Sequence, residues 1–152
     1  MGQQQLLLII LVTIVIGIAS LVAITTFDSA AQSANRYALT IDITTLASSV
    51  QDYFLRPETL SGGGRSFDGF TIQGKLLPVS GIREDGLFAQ TENGTLEVLA
   101  AAGNSITIIG HPSSCEGYQP GTIDEEGTLT NAGSCSEPNQ IIATVGLNEI
   151  MY

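Results

Sequence analysis

The chain is 152 residues long, with 5 Lys and Arg against 15 Asp and Glu, a net charge of −10, 17 glycines and 2 cysteines. That balance argues against a phosphate-backbone partner, which needs Lys and Arg to displace counterions, and against adhesion of the polar part to anionic lipid. The length accommodates one modest single-core domain and one attached segment.

The chain opens MGQQQLLLIILVTIVIGIASLVAITTF, with no charged side chain from Gly2 to Phe27. The apolar run Leu6 to Phe27 is interrupted only by Thr13, Gly17, Ser20, Thr25 and Thr26. As a helix rising ~1.5 Å per residue it spans about 33 Å, which matches a bilayer core. It is longer than the roughly 7–15 apolar residues of a signal-peptide core, and no small-x-small cleavage site precedes a turn-rich mature start. Membrane routing normally requires a basic flank, yet this flank is Gln3-Gln4-Gln5.

The helical pattern continues past the apolar run. Asp28 to Leu55 contains neither Pro nor Gly. Its apolar residues Ala30, Ala34, Tyr37, Ala38 and Ile41, and beside them Leu39, Ile43, Leu46, Val50 and Phe54, fall at helical spacings of three and four. The first stop signals are Pro57 and then Ser61-Gly62-Gly63-Gly64. The expectation is one helix of about 50 residues, apolar all round over 1–27 and amphipathic over 28–56. A glycine-rich loop over 57–69, read as a flexible exit, separates it from a β-rich region over 70–152. A rod that is apolar all round must be buried in lipid or in copies of itself.

Strands are expected at Phe70-Thr71-Ile72-Gln73, Gly86–Gln90, Thr95–Leu99, Ser105–Ile109 and Ile141–Val145, the last regular strand. Glu92-Asn93-Gly94 and Gly103-Asn104 read as turns. This spacing describes an antiparallel meander on the amphipathic half of the helix, an α+β fold.

Cys115 and Cys135 stand 20 positions apart, no CxxC occurs and His111 is the single histidine. Zinc spacing is missing. The acidic, lysine-poor composition suits an exported protein, and there one even pair reads as a disulfide, closing a loop worth roughly 3 kcal/mol by the chain-entropy argument; two unrelated thiols are the alternative. Asp124-Glu125-Glu126, inside the 115–135 loop, reads as a solvated turn, because three consecutive acids do not converge easily on one calcium ion. Ser61–Ser66 lacks the GK[ST] of a P-loop. Asn93-Gly94-Thr95 fits an N-glycosylation acceptor, yet it doubles as a tight turn, which explains it without a sugar. His111, beside Pro112, reads as a loop residue. No Ser-His-Asp or Cys-His set assembles, so neither catalysis nor a cofactor is expected. Tyr37, Tyr53, Tyr118 and Tyr152 read as packing residues, and no CxxCH haem motif occurs.

This layout resembles the type IV pilin family, pseudopilins included. The resemblance rests on the N-terminal apolar helix, its amphipathic continuation, the glycine-bearing loop, the β-rich region and the C-terminal cysteine pair. It implies a structural subunit that polymerises into an extracellular filament, membrane-inserted before assembly and handled by a prepilin peptidase and pilus assembly machinery. A basic leader, cut after a glycine, would have supplied the missing flank; Met1 is the preferred mature start, and Gln3 the start if Gly2 precedes the cut. The implied polymerisation core is Met1, Gln5, Leu6, Leu7, Leu8, Ile10, Leu11, Ile14, Val15, Ile18, Leu21 and Val22. Most of the family carries glutamate where this chain has Gln5, and many carry proline where it has Val22. An amide still accepts a hydrogen bond from a neighbour's terminal amine, without charge assistance. Gly17 and Ser20 mark either a local helix melt during assembly or close helix packing. The competing functions are a monomeric membrane-anchored extracellular binding module, and a minor pilin or secretion-system pseudopilin.

Overall fold

The computed structural model describes residues 2–72, 78–99, 105–131, 133–136, 139–146 and 150–151. Met1, Gln73, Gly103-Asn104 and Tyr152 lie outside the described residues. The chain forms two compact units, Met1–Ala34 and Asn35–Tyr152.

A single α-helix, α1 (Gly2–Leu55), supplies the first unit and the start of the second. In the first unit the large apolar side chains from Leu6 to Phe27 are between 45% (Val12) and 75% (Phe27) exposed.

In the second unit α1 becomes one-sided. Leu39, Ile43, Leu46, Ala47, Val50 and Phe54 are buried, at helical intervals along one face. They meet a six-stranded antiparallel sheet among the described residues: β1 (Val79–Ile82), β2 (Phe88–Thr91), β3 (Gly94–Leu99), β4 (Ser105–Pro112), β5 (Ile141–Gly146) and β6 (Ile150–Met151), in chain order. The fold is α+β, a long N-terminal helix with its second half on an antiparallel meander. Ala89, Leu96, Val98, Ile106, Ile108, Ala143 and Val145 line the helix-facing side of the core. At Gly110 a Cβ would stand 2.6 Å from Ile43 Cδ1, so glycine lets β4 run close under the helix.

Polar clamps fix the helix to the β2–β3 hairpin. The Asn35 amide donates to the Asn93 carbonyl and to Ser113 Oγ, both at 3.0 Å, and its oxygen accepts from Ser114 Oγ at 2.9 Å. Asp42 accepts from Asn93 Nδ2 at 2.9 Å.

Several sequence expectations change. Phe70-Thr71-Ile72 is not a strand: Phe70 N–H closes a turn onto Phe67, and Phe70 meets Tyr53 edge-on at 5.5 Å. Core burial, not pairing, explains its apolar residues. β1 was not expected, because Gly81 and a register shift after Val79 break its alternation. Ile141–Gly146 is not the last strand, since β6 pairs with it through Thr144↔Met151 and Val145↔Ile150. The glycine-rich loop is an ordered cap rather than a flexible exit. Gly63 N–H bonds the Tyr53 carbonyl at 2.8 Å, Gly64 the Arg56 carbonyl and Arg65 the Phe54 carbonyl, both at 3.0 Å. These donors satisfy carbonyls that a helix end leaves open.

Candidate functional site

Two places concentrate the residues singled out by sequence. The first is the apolar run of α1. Gln5, Leu6, Leu7, Leu8, Ile10, Leu11, Ile14, Val15, Ile18, Leu21 and Val22 are all exposed in the isolated chain, and consecutive numbers place them on every side of the helix. Gly17 and Ser20 lie in unbroken helix, and a Cβ at Gly17 would meet nothing within 4 Å. Nothing within the chain therefore requires glycine there. The hydroxyls of the run are closed onto the helix itself: Thr13 donates to the Ile10 carbonyl, Ser20 to Ile16 and Thr26 to Val22, each at 2.8 Å, and Thr25 to Val22 at 3.0 Å. A hydroxyl satisfied this way faces an apolar medium without an open donor. The helix is long and apolar enough to cross a membrane.

The second place is the sheet side opposite α1. Thr95 and His111 are cross-strand partners of β3 and β4, so their side chains share a face. Both are buried, at 0% and 3% exposure. His111 is thus a strand residue under cover, not the loop residue read from Pro112. The covering segment contributes Leu129 and Cys135, both buried. Thr95 Oγ1 donates to the Gly133 carbonyl. His111 Nδ1 accepts the Cys135 N–H at 3.1 Å. The imidazole stacks on Phe88, with ring centroids 6.4 Å apart, and Arg83 lies 5.2 Å from the Phe88 centroid on a cation–π contact.

Cys115 and Cys135 are both thiols, brought into side-chain contact within this segment. Burial, and then the Cys115 thiol beside it, pushes the Cys135 thiol up to about 12, against the pull of Arg36. Burial also raises the Tyr118 phenol, against a hydrogen bond to Thr95. Arg83 donates to Asp85 at 2.7 Å, which holds the guanidinium above and the carboxyl below their ordinary values.

The other candidates have local roles. Asp124 Oδ1 accepts the Thr128 N–H at 2.7 Å and the Glu126 N–H at 3.1 Å, which makes the acidic run a turn. Among the described residues no group of three or more His, Cys, Asp and Glu is placed to hold a metal ion. The Asn93 amide is engaged by Asp42, and the Thr95 hydroxyl that completes the glycosylation pattern is buried. Tyr53 is half-buried and donates to the Asp68 carbonyl at 2.8 Å, while Tyr37 is exposed.

Sequence reading missed the Thr95–His111 pair and the Asn35 clamp. The pair becomes visible only once β3 and β4 are in register. Asn35 is a polar residue in a polar helical stretch, with no local signal of its reach to Asn93 and Ser113. No protein-family model, curated protein or solved structure matches the chain.

Proposed function

We propose that this chain is a structural subunit that polymerises through its N-terminal helix into an extracellular filament resembling a type IV pilus. One observation carries the reading: a single helix is apolar and exposed on all sides over Leu6–Phe27, then one-sided and buried against a sheet from Leu39 to Phe54. A rod with that surface needs lipid or identical rods around it. In lipid the hydrophobic gain is already made, so lateral assembly rests on close packing, which Gly17 permits. The subunit then waits in the cytoplasmic membrane, is processed by a prepilin peptidase, and is extracted into the filament by an assembly machinery. Its partners are further copies of itself. The acidic domain offers no surface for nucleic acid, and the filament subunit has no enzymatic role.

The test is electron microscopy of material sheared from producing cells, with mass spectrometry of the N-terminal peptide from the same fraction. Uniform thin filaments built of this chain, with a mature terminus at Met1 or Gln3, support the reading. A detergent-soluble monomer that stays with the membrane overturns it in favour of an anchored binding module.

A further inference from the structure

We propose that His111 is an acid-released latch that holds the cysteine-bearing segment on the sheet. The latch is independent of filament assembly. It begins with a fixed tautomer. Nδ1 accepts the Cys135 N–H, so in the neutral ring the proton sits on Nε2. That Nε2 is buried and has no hydrogen-bond partner. The nearest charge, Glu97 Oε2 on β3, is 3.6 Å away, beyond hydrogen-bond reach. The neutral state therefore spends one ring nitrogen on the segment and leaves the other unused.

A proton from solvent can add only to the Nδ1 lone pair. Once it does, an N–H faces the Cys135 N–H, and the acceptor that held that N–H is gone. The same proton makes the ring an imidazolium, and Nε2–H then has a carboxylate partner across a short gap. Protonation thus exchanges one contact for another: the Cys135 N–H loses its acceptor while Glu97 is engaged, and the Cys135 carbonyl keeps its bond from Gln140 at 3.0 Å. Thr95 keeps its bond to Gly133, so release begins at Cys135 and leaves Gly133 in place.

The surrounding groups fit this exchange. From β2 the neighbour is the uncharged Phe88 ring. From β3 it is Glu97, which also feels Arg83, itself paired with Asp85. From the covering segment come Cys135, with Cys115 and Tyr118 beside it, and Arg36 of α1 acts on Cys135. Glu97 is the one carboxylate placed within salt-bridge range of the ring among the described residues.

The test is residue-resolved amide hydrogen exchange on the full chain in detergent micelles, thiols reduced, from pH 8 to pH 5. Rates are divided by the unstructured-chain rate at each pH. Protection of the Cys135 amide is expected to fall about tenfold or more, a change of roughly 1.4 kcal/mol, while Ile108 and Val145 keep theirs. In Glu97→Gln the loss requires more acid, because the imidazolium has lost its partner. In His111→Asn, whose side-chain oxygen accepts the same N–H without titrating, Cys135 stays protected throughout. Three results overturn the latch: Cys135 protection that does not change with pH, loss in step with the whole sheet, or equal loss in His111→Asn. Should that variant not fold, an unchanged midpoint in Glu97→Gln overturns it alone.

Discussion

Cys135 binds its proton more tightly than a free thiol does, because the buried site disfavours a thiolate. The sign of the resulting pH dependence follows directly. Its folded-state value is raised from 9.0 to about 12, so the stability it contributes is complete below pH 9 and is lost as pH rises towards 12. The reduced chain is expected to show a falling denaturation midpoint across that alkaline window, and Cys135→Ala to lack that component. Oxidation to the disulfide that the sequence suggests removes the same component, since no thiol remains to titrate. At Gly63 the constraint is steric. A Cβ there would stand 1.8 Å from the Ser66 carbonyl oxygen and 2.7 Å from the Tyr53 ring. Gly63→Ala is expected to cost at least about 2 kcal/mol in denaturant unfolding, towards the severe end for single substitutions. Neither residue announces its role in the sequence. The cysteine pair suggested a cross-link from count and spacing, but not the histidine beneath it. The glycine run suggested looseness, whereas its backbone donors close the end of α1.

The two parts of α1 make opposite demands, and substitutions should separate them. Leu39 is fully buried over the sheet. Leu39→Ala is expected to destabilise the domain by about 2–5 kcal/mol, read as a shift in denaturant midpoint, while filaments still form at permissive temperature. Ile14 is 54% exposed in the isolated chain. Ile14→Asp, or Leu8→Asp, should leave the near-ultraviolet dichroism of the domain unchanged and abolish filaments; normal filaments would sink the packed-rod reading. The helix was the most legible element, because an unbroken apolar run passes directly into a three-and-four apolar spacing over 28–55, without Pro and with Gly17 as the only glycine after Gly2. The second half carried two apolar series, and the structure buries the one through Leu39, Ile43, Leu46, Val50 and Phe54, leaving Tyr37 and Ile41 exposed. Periodicity alone does not choose between neighbouring stripes. The sheet was legible where turn chemistry was strong, at Glu92-Asn93-Gly94, and illegible at β1, whose four residues include a glycine and a register shift. Phe70 and Ile72 show the converse error, in which apolar alternation without strand pairing served the core.

At the scale of the whole molecule, the meander keeps strand neighbours adjacent in sequence, with the longest connection, Ser113 to Gln140, spanning β4 and β5. That connection carries both cysteines and folds back over β3 and β4. It also reaches the edge, where Thr128 bridges Ile82 and the Leu129 N–H bonds the Ile82 carbonyl at 3.0 Å. A sheet edge covered in this way offers fewer open backbone groups to other chains. The closed hydroxyls of Thr13, Ser20, Thr25 and Thr26 have a wider consequence. A helix whose polar atoms are already partnered carries the same set of hydrogen bonds among lipid tails as among other helices. Over Leu6–Phe27 its passage between those surroundings would be decided by fit of shape rather than by any exchange of hydroxyl partners.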